Sequence, residues 1–192
     1  MSADALRVLT VRQPWAWAII HGGKDVENRV RSLGPYRGPV AIHAGLALDH
    51  EYHAHLIGKA VGRLARSTRA GLDLVAKRAG DTRTPGNEIT ERFGNLGAVI
   101  GVVDLVGEHR GHQQEDAEAW EPDEYCDIPS VLGPRPKTCS PWALPDHHHL
   151  ELANPRPLTT PIPARGRLGL WRPDPDLTAA ILAALPKDSD HA

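Results

Sequence analysis

Two short stretches near the start constrain the fold of this chain more than anything else in it. Leu9-Thr10-Val11-Arg12-Gln13 runs into Pro14-Trp15, and nine residues on the chain reads Lys24-Asp25-Val26-Glu27-Asn28-Arg29. The β-branched run at Val8 to Val11 predicts a strand. Proline fits the first helical turn because it has no N–H to leave unpaired, so a helix is expected from near Gln13. That helix carries Trp15, Trp17, Ile19 and Ile20 and ends at Gly22-Gly23, where glycine tolerates a left-handed exit. Beside that exit and the tryptophans, the charged segment forms either a polar pocket with an aromatic wall or a solvated turn closed by a salt bridge.

The chain has 192 residues, 41% of them hydrophobic and 24% charged, which suits one sizeable core and does not demand two. A single domain over residues 1–175 is therefore expected, followed by a C-terminal helix and a disordered tail over 176–192. No apolar run approaches membrane-spanning length and no secretory signal pattern opens the chain, so a cytoplasmic location is expected. Cys126 and Cys139 are the two cysteines, too few for a stapled secreted fold. The net charge of −2 is unevenly spread: residues 1–96 hold fourteen Lys/Arg against nine Asp/Glu, and the remainder eight against fifteen. The basic front half is the better place to look for an anionic partner.

Further along, Pro39 to Ala44 reads as a second strand. Between Leu48 and Gly80, Leu56, Ala60, Leu64, Leu72, Val75 and Ala79 recur at helical spacing, and residues 81–95 carry turn formers, so residues 46–95 read as a helical insertion. Ala98 to Val106 is a nearly continuous apolar run, a buried strand ended by Gly107. Residues 108–138 turn acidic and proline-rich and read as a surface excursion, with a helical turn or two within Gln113 to Glu121. Leu150 to Leu152 and Arg167 to Trp171 are expected to be closing strands, separated by a segment whose prolines exclude a central strand position. After Pro175, Asp176 caps a short helix through Leu185.

The segments TVRQPWAWAIIHGGKDVENR and YRGPVAIHAG, with GAVIGVVDLV, CSPWA and NPRPLTTPIPARGRLGLW in the same order, resemble the ASCH (activating signal cointegrator homology) family of the PUA-like fold. The resemblance spans nearly the whole chain. It implies an α+β domain on a small, mostly antiparallel β-barrel with flanking helices, and a cleft that reads nucleic acid or modified bases. Some members of the family remove the acetyl group from acetylated cytidine with lysine, threonine and glutamate. Their lysine matches Lys24, but Glu27 stands at the threonine position, so amide attack here needs a water activated by Lys24 or Glu27.

Taken residue by residue, Lys24 suits a phosphate clamp or, if buried, a general base, with Glu27 as its partner. In a regular strand the two would point to opposite faces, so a bend at the glycine exit is required to join them. Glu27 paired with Arg29 at a sheet edge is the plainer reading. Trp15 and Trp142 each adjoin a proline and a polar neighbour and are the tryptophans expected to face a cleft rather than the core. His43 and His149 fall in strand motifs, either lining the cleft or buried and satisfied. Lys59, Arg63 and Arg66 stack along one helical face and suit phosphate contact, as does Arg37 on a smaller scale; a solvated face explains them as well.

His109, His112, Cys126, Cys139 and His147 to His149 include enough ligand types for zinc, but neither cysteine belongs to a C-x-x-C knuckle. Exposed histidines and a small buried thiol are the expectation, with no metal and no cofactor. A phosphate-binding glycine loop and a nucleophile elbow are both missing from the sequence. The expected function is recognition of RNA or a modified nucleoside in a cleft formed by Arg12, Gln13, Trp15, Lys24, Glu27, Arg29, Arg37, His43 and Trp142. The alternatives are a nucleoside amidohydrolase or ribonuclease using Lys24 and Glu27, and a protein-interaction module using the acidic surface at 108–127.

Overall fold

A computed structural model of the chain describes residues 5–48, 95–114, 123–126 and 139–186. The order of elements is β1 (Arg7–Gln13), α1 (Trp15–His21), β2 (Val26–Arg29), β3 (Gly38–Leu48), β4 (Ala98–Gln114), β5 (Asp123–Cys126), β6 (His148–Pro163), β7 (Leu170–Trp171) and α2 (Pro175–Ala184). Six strands form one sheet in the order β2-β6-β4-β3-β1-β7, and β5 pairs with the far end of β4. β1 and β3 run parallel; the other pairings are antiparallel.

The α+β class is as expected, but the sheet is an open path and not a closed barrel. Its two ends are short, four residues of β2 and two of β7, and each pairs on one side alone. Register shifts interrupt the pairing within it, three of them between β4 and β6.

Period-two alternation gives the sheet two buried faces. Leu9, Val11, Ile42, Ile100, Val103 and Leu150 pack on one side with Ala16, Ile19 and Ile20 of α1. Val8, Ala41, Val99, Val102, Leu158 and Trp171 pack on the other with Ile181 of α2. β1 is therefore apolar on both faces, which is why it reads as a continuous run.

Several boundaries differ from expectation. α1 begins at Trp15, with Pro14 before it, and the buried Gln13 side chain accepts from the Trp17 N–H at 3.0 Å, satisfying one of the orphan donors of the first turn. Asp174, and not Asp176, caps α2, its carboxylate accepting from the Leu177 N–H at 2.8 Å, because Pro175 takes the first helical position and puts the cap just before it. β6 runs unbroken through the proline segment. β2 covers only Val26↔Glu151 to Arg29↔His148, so beyond that point β6 has β4 as its single neighbour and proline N–H groups are not missed.

The largest correction concerns residues 108–114, which continue β4 and are not part of a surface excursion; Gln113 and Gln114, read as possibly helical, are in the strand. Gly107 does not end the strand. It opposes Glu151, whose carboxylate lies where a Cβ at 107 would stand, 2.6 Å away. β3 extends to Leu48; the remainder of the helical insertion, with Lys59, Arg63 and Arg66, lies outside the described residues, as does the tail beyond residue 186. Among the described residues, no helix is long and apolar enough to cross a membrane.

Candidate functional site

A cleft of about 1710 Å³ opens between the start of α1, the β2 edge, and the segments at 141–147 and 163–169. Lys24 reaches it by the bend that the sequence demanded. α1 ends as the Gly22 and Lys24 N–H groups both donate to the Ala18 carbonyl, and Gly23 takes a positive φ of 70°. Lys24 therefore lies ahead of β2 and outside its alternation, and its ammonium meets Glu27 Oε2 at 2.8 Å while also donating to the Val26 carbonyl. Both are buried, Lys24 at 4% exposure and Glu27 at 8%. Arg29 brings Nε to 3.4 Å from Glu27 Oε1 and donates to the Thr10 carbonyl at 2.8 Å. The two readings of this motif thus coexist: Glu27 stands between Lys24 and Arg29 and pairs with each.

One wall of the cleft is aromatic. Trp15 and Trp142 meet edge to face, with ring centroids 6.4 Å apart. Trp142 is held by its surroundings: its indole N–H donates to the Gly23 carbonyl at 3.2 Å, and its backbone N–H to Ser140 Oγ at 3.0 Å. Asn28 clamps the same segment to β2, its amide donating to the Trp142 carbonyl at 2.8 Å and accepting from the Leu144 N–H at 3.0 Å. Asn28 is a positioning residue that sequence reasoning missed; its place in the charged motif was the available signal.

The rim is cationic. Arg12, Arg29, Arg31, Arg165 and Arg167 all line the cleft, of which the sequence singled out only the first two. Arg167 also stacks over Trp171, 5.4 Å from the ring centroid. His43 lines the cleft as a buried residue; its Nε2 donates to the Ala164 carbonyl at 2.9 Å. Its Nδ1 is enclosed behind the cleft wall and has no hydrogen-bond partner among the described residues. Gln13 is buried against α1 and does not line the cleft, nor does Arg37, which is exposed and donates to the Gly34 and Tyr36 carbonyls of its own turn.

Behind the Trp142 segment lies a second group. His109, Cys126, Cys139 and His149 converge so that one ligand atom from each falls within 4.8 Å of the others. The sheet brings them together: His109 and His149 are direct partners on β4 and β6, and Cys126 pairs with Gly111, two residues along the same face of β4 as His109. His149 and Cys126 are buried at 1% and 2% exposure, and the His109 side chain at 8%. The expectation of exposed histidines is thus corrected for His109, because β4 does not stop at Gly107, while His149 takes the buried alternative. Burial holds the His149 imidazole below the usual histidine range. Burial likewise pushes the Cys139 thiol up to about 12, with Cys126 beside it acting in the same direction.

Compared with known proteins, the chain matches no family model, and no curated protein emerges as its relative.

Proposed function

We propose that the chain is an ASCH-type, PUA-like domain that recognises single-stranded nucleic acid, above all RNA or a modified nucleoside within it, in the cleft between α1 and the Lys24–Arg29 segment. The observation that carries this reading is the joining of an aromatic wall, Trp15 and Trp142, to a rim of five arginines. Indole faces stack on bases, and guanidinium groups contact phosphate bidentately or stack in turn. Arg29, a quarter exposed where it leaves the buried Lys24–Glu27 pair, supplies donors suited to the edge of an unstacked base. Lys24 already donates to two acceptors, which fits a fixed hydrogen-bonding role better than that of a base. A cytoplasmic setting agrees with two free cysteines.

The protein-interaction reading loses part of its surface, since Glu108 is buried and paired with His148 at 3.1 Å. Titration of labelled single-stranded RNA, duplex RNA and duplex DNA at two salt concentrations tests the proposal. Saturable binding that prefers single strands and weakens with salt is the expected result. Absence of binding to any polymer at low salt overturns it. Release of acetate from acetylcytidine, or cleavage of the RNA, with loss in Lys24→Met, replaces it with the enzymatic alternative.

A further inference from the structure

We propose that His109, Cys126, Cys139 and His149 bind one zinc ion that locks the segment carrying Trp142 onto the sheet. The inference does not depend on what the cleft binds. Two thiols and two imidazoles are the donor set of a closed, tetrahedral structural zinc site. The three spacings from His149 Nδ1 agree with it. Zn–S of about 2.3 Å and Zn–N of about 2.0–2.1 Å in a tetrahedron imply N···S edges of ~3.6 Å and an N···N edge of ~3.3 Å. His149 Nδ1 stands 3.5 Å from Cys126 Sγ, 3.3 Å from Cys139 Sγ and 3.3 Å from His109 Nε2.

Both imidazoles are oriented for that task by the partners of their other nitrogens. His109 Nδ1 donates to Glu151 Oε1 at 2.7 Å, which leaves Nε2 as the lone pair facing the cluster. His149 Nε2 donates to the Leu144 carbonyl at 2.6 Å, which leaves Nδ1 facing it. With both tautomers so fixed, His109 Nε2 and His149 Nδ1 are acceptors that point at one another and cannot hydrogen-bond together. A cation between them meets both lone pairs at a single point, whereas neutral thiols would need one S–H aimed at each nitrogen. Space is reserved as well: a Cβ on Gly111 would stand 2.3 Å from His149 Cε1.

The site closes over residues from β4, β5, β6 and the segment that follows position 138. Cys139 lies three residues before Trp142, and Leu144, which accepts from His149, lies two after it. Zinc here fixes both flanks of the aromatic wall. With four protein ligands no coordination position remains for water, so the ion's role is structural.

The full chain is grown with zinc, purified in a phosphine reductant without chelator, and assayed by elemental analysis beside Cys126→Ser and Cys139→Ser. About one zinc per chain, reduced at least about tenfold in either variant, is expected for a four-ligand site. Cobalt(II) supplied to the wild type gives a reading that needs no variant, because thiolate-to-metal charge transfer and intense d–d bands report tetrahedral sulfur ligation even if the serine variants fail to fold. A wild type that takes up neither metal overturns the proposal. Zinc retained in both folded serine variants overturns it too, as does bound cobalt without thiolate bands. A chain whose two cysteines are joined in a disulfide and which binds no zinc after reduction also overturns it.

Discussion

The cleft and the His109–Cys126–Cys139–His149 cluster lie on the same sheet and are built to opposite ends. The cleft is open, cationic at its rim and aromatic along one wall. The cluster is compact, with Cys126 and His149 buried and His109 and Cys139 partly so, and its outer nitrogens are already spent on Glu151 and Leu144. One arrangement suits a ligand that comes and goes; the other suits an ion that stays. They share the segment from Cys139 to Leu144, which the cluster holds from one side and Asn28 from the other.

Stripping the metal from the wild type is the strongest way to separate the two. With free zinc a thousandfold above its dissociation constant, binding contributes about 4 kcal/mol, and more as affinity rises. Chelation is expected to lower the melting temperature by ~8–16 °C, at ~2–4 °C per kcal/mol for a chain of this size. Cys139→Ser, read by the same scan, is expected to show no further loss on chelation.

Glu27→Gln strikes the cleft and leaves the cluster intact. It strands the Lys24 ammonium in a buried site beside a second cation, Arg29, which costs about 3–5 kcal/mol. Denaturant unfolding is expected to show that loss with zinc content unchanged. A fall in zinc as well would mean that the two sites are not separable.

A subtler probe is Gly111→Ala, whose added methyl must push the His149 ring aside. Misorienting a ligand typically costs ~10–100-fold in metal affinity, and competition with a chromophoric chelator is expected to show a loss in that range. Affinity for RNA should fall far less. The smallest effect belongs to Asp174→Ala, remote from both regions. It removes the α2 cap at a cost of about 1 kcal/mol in thermal unfolding, with zinc and ligand binding unchanged.

The difference in construction also explains what could be read from the sequence. The charged centre of the cleft is local. Lys24, Glu27 and Arg29 sit within six positions, and the need for a bend between Lys24 and Glu27 follows from strand periodicity, which the Gly22-Gly23 exit then supplies. Arg165, Arg167 and the clamping role of Asn28 escaped notice because they act across the sheet on segments more than a hundred residues away. The cluster left no local signature at all. Its histidines face each other through β4–β6 register, which a strand ending at Gly107 would not reach. Glycine there makes room for Glu151, which a single sequence cannot distinguish from a strand end. The open sheet, too, was out of reach, since closure depends on whether two very short edge strands meet.

The measurement that bears most directly on the proposed function is an equilibrium titration of labelled single-stranded RNA, in moderate salt, against the zinc-replete wild type and Trp15→Ala. Removing one stacking surface costs ~1–3 kcal/mol, so affinity is expected to fall about 5- to 150-fold in the variant, with folding and zinc content retained. Equal affinity in the two proteins would place the nucleic acid elsewhere on the molecule and contradict the account of the cleft.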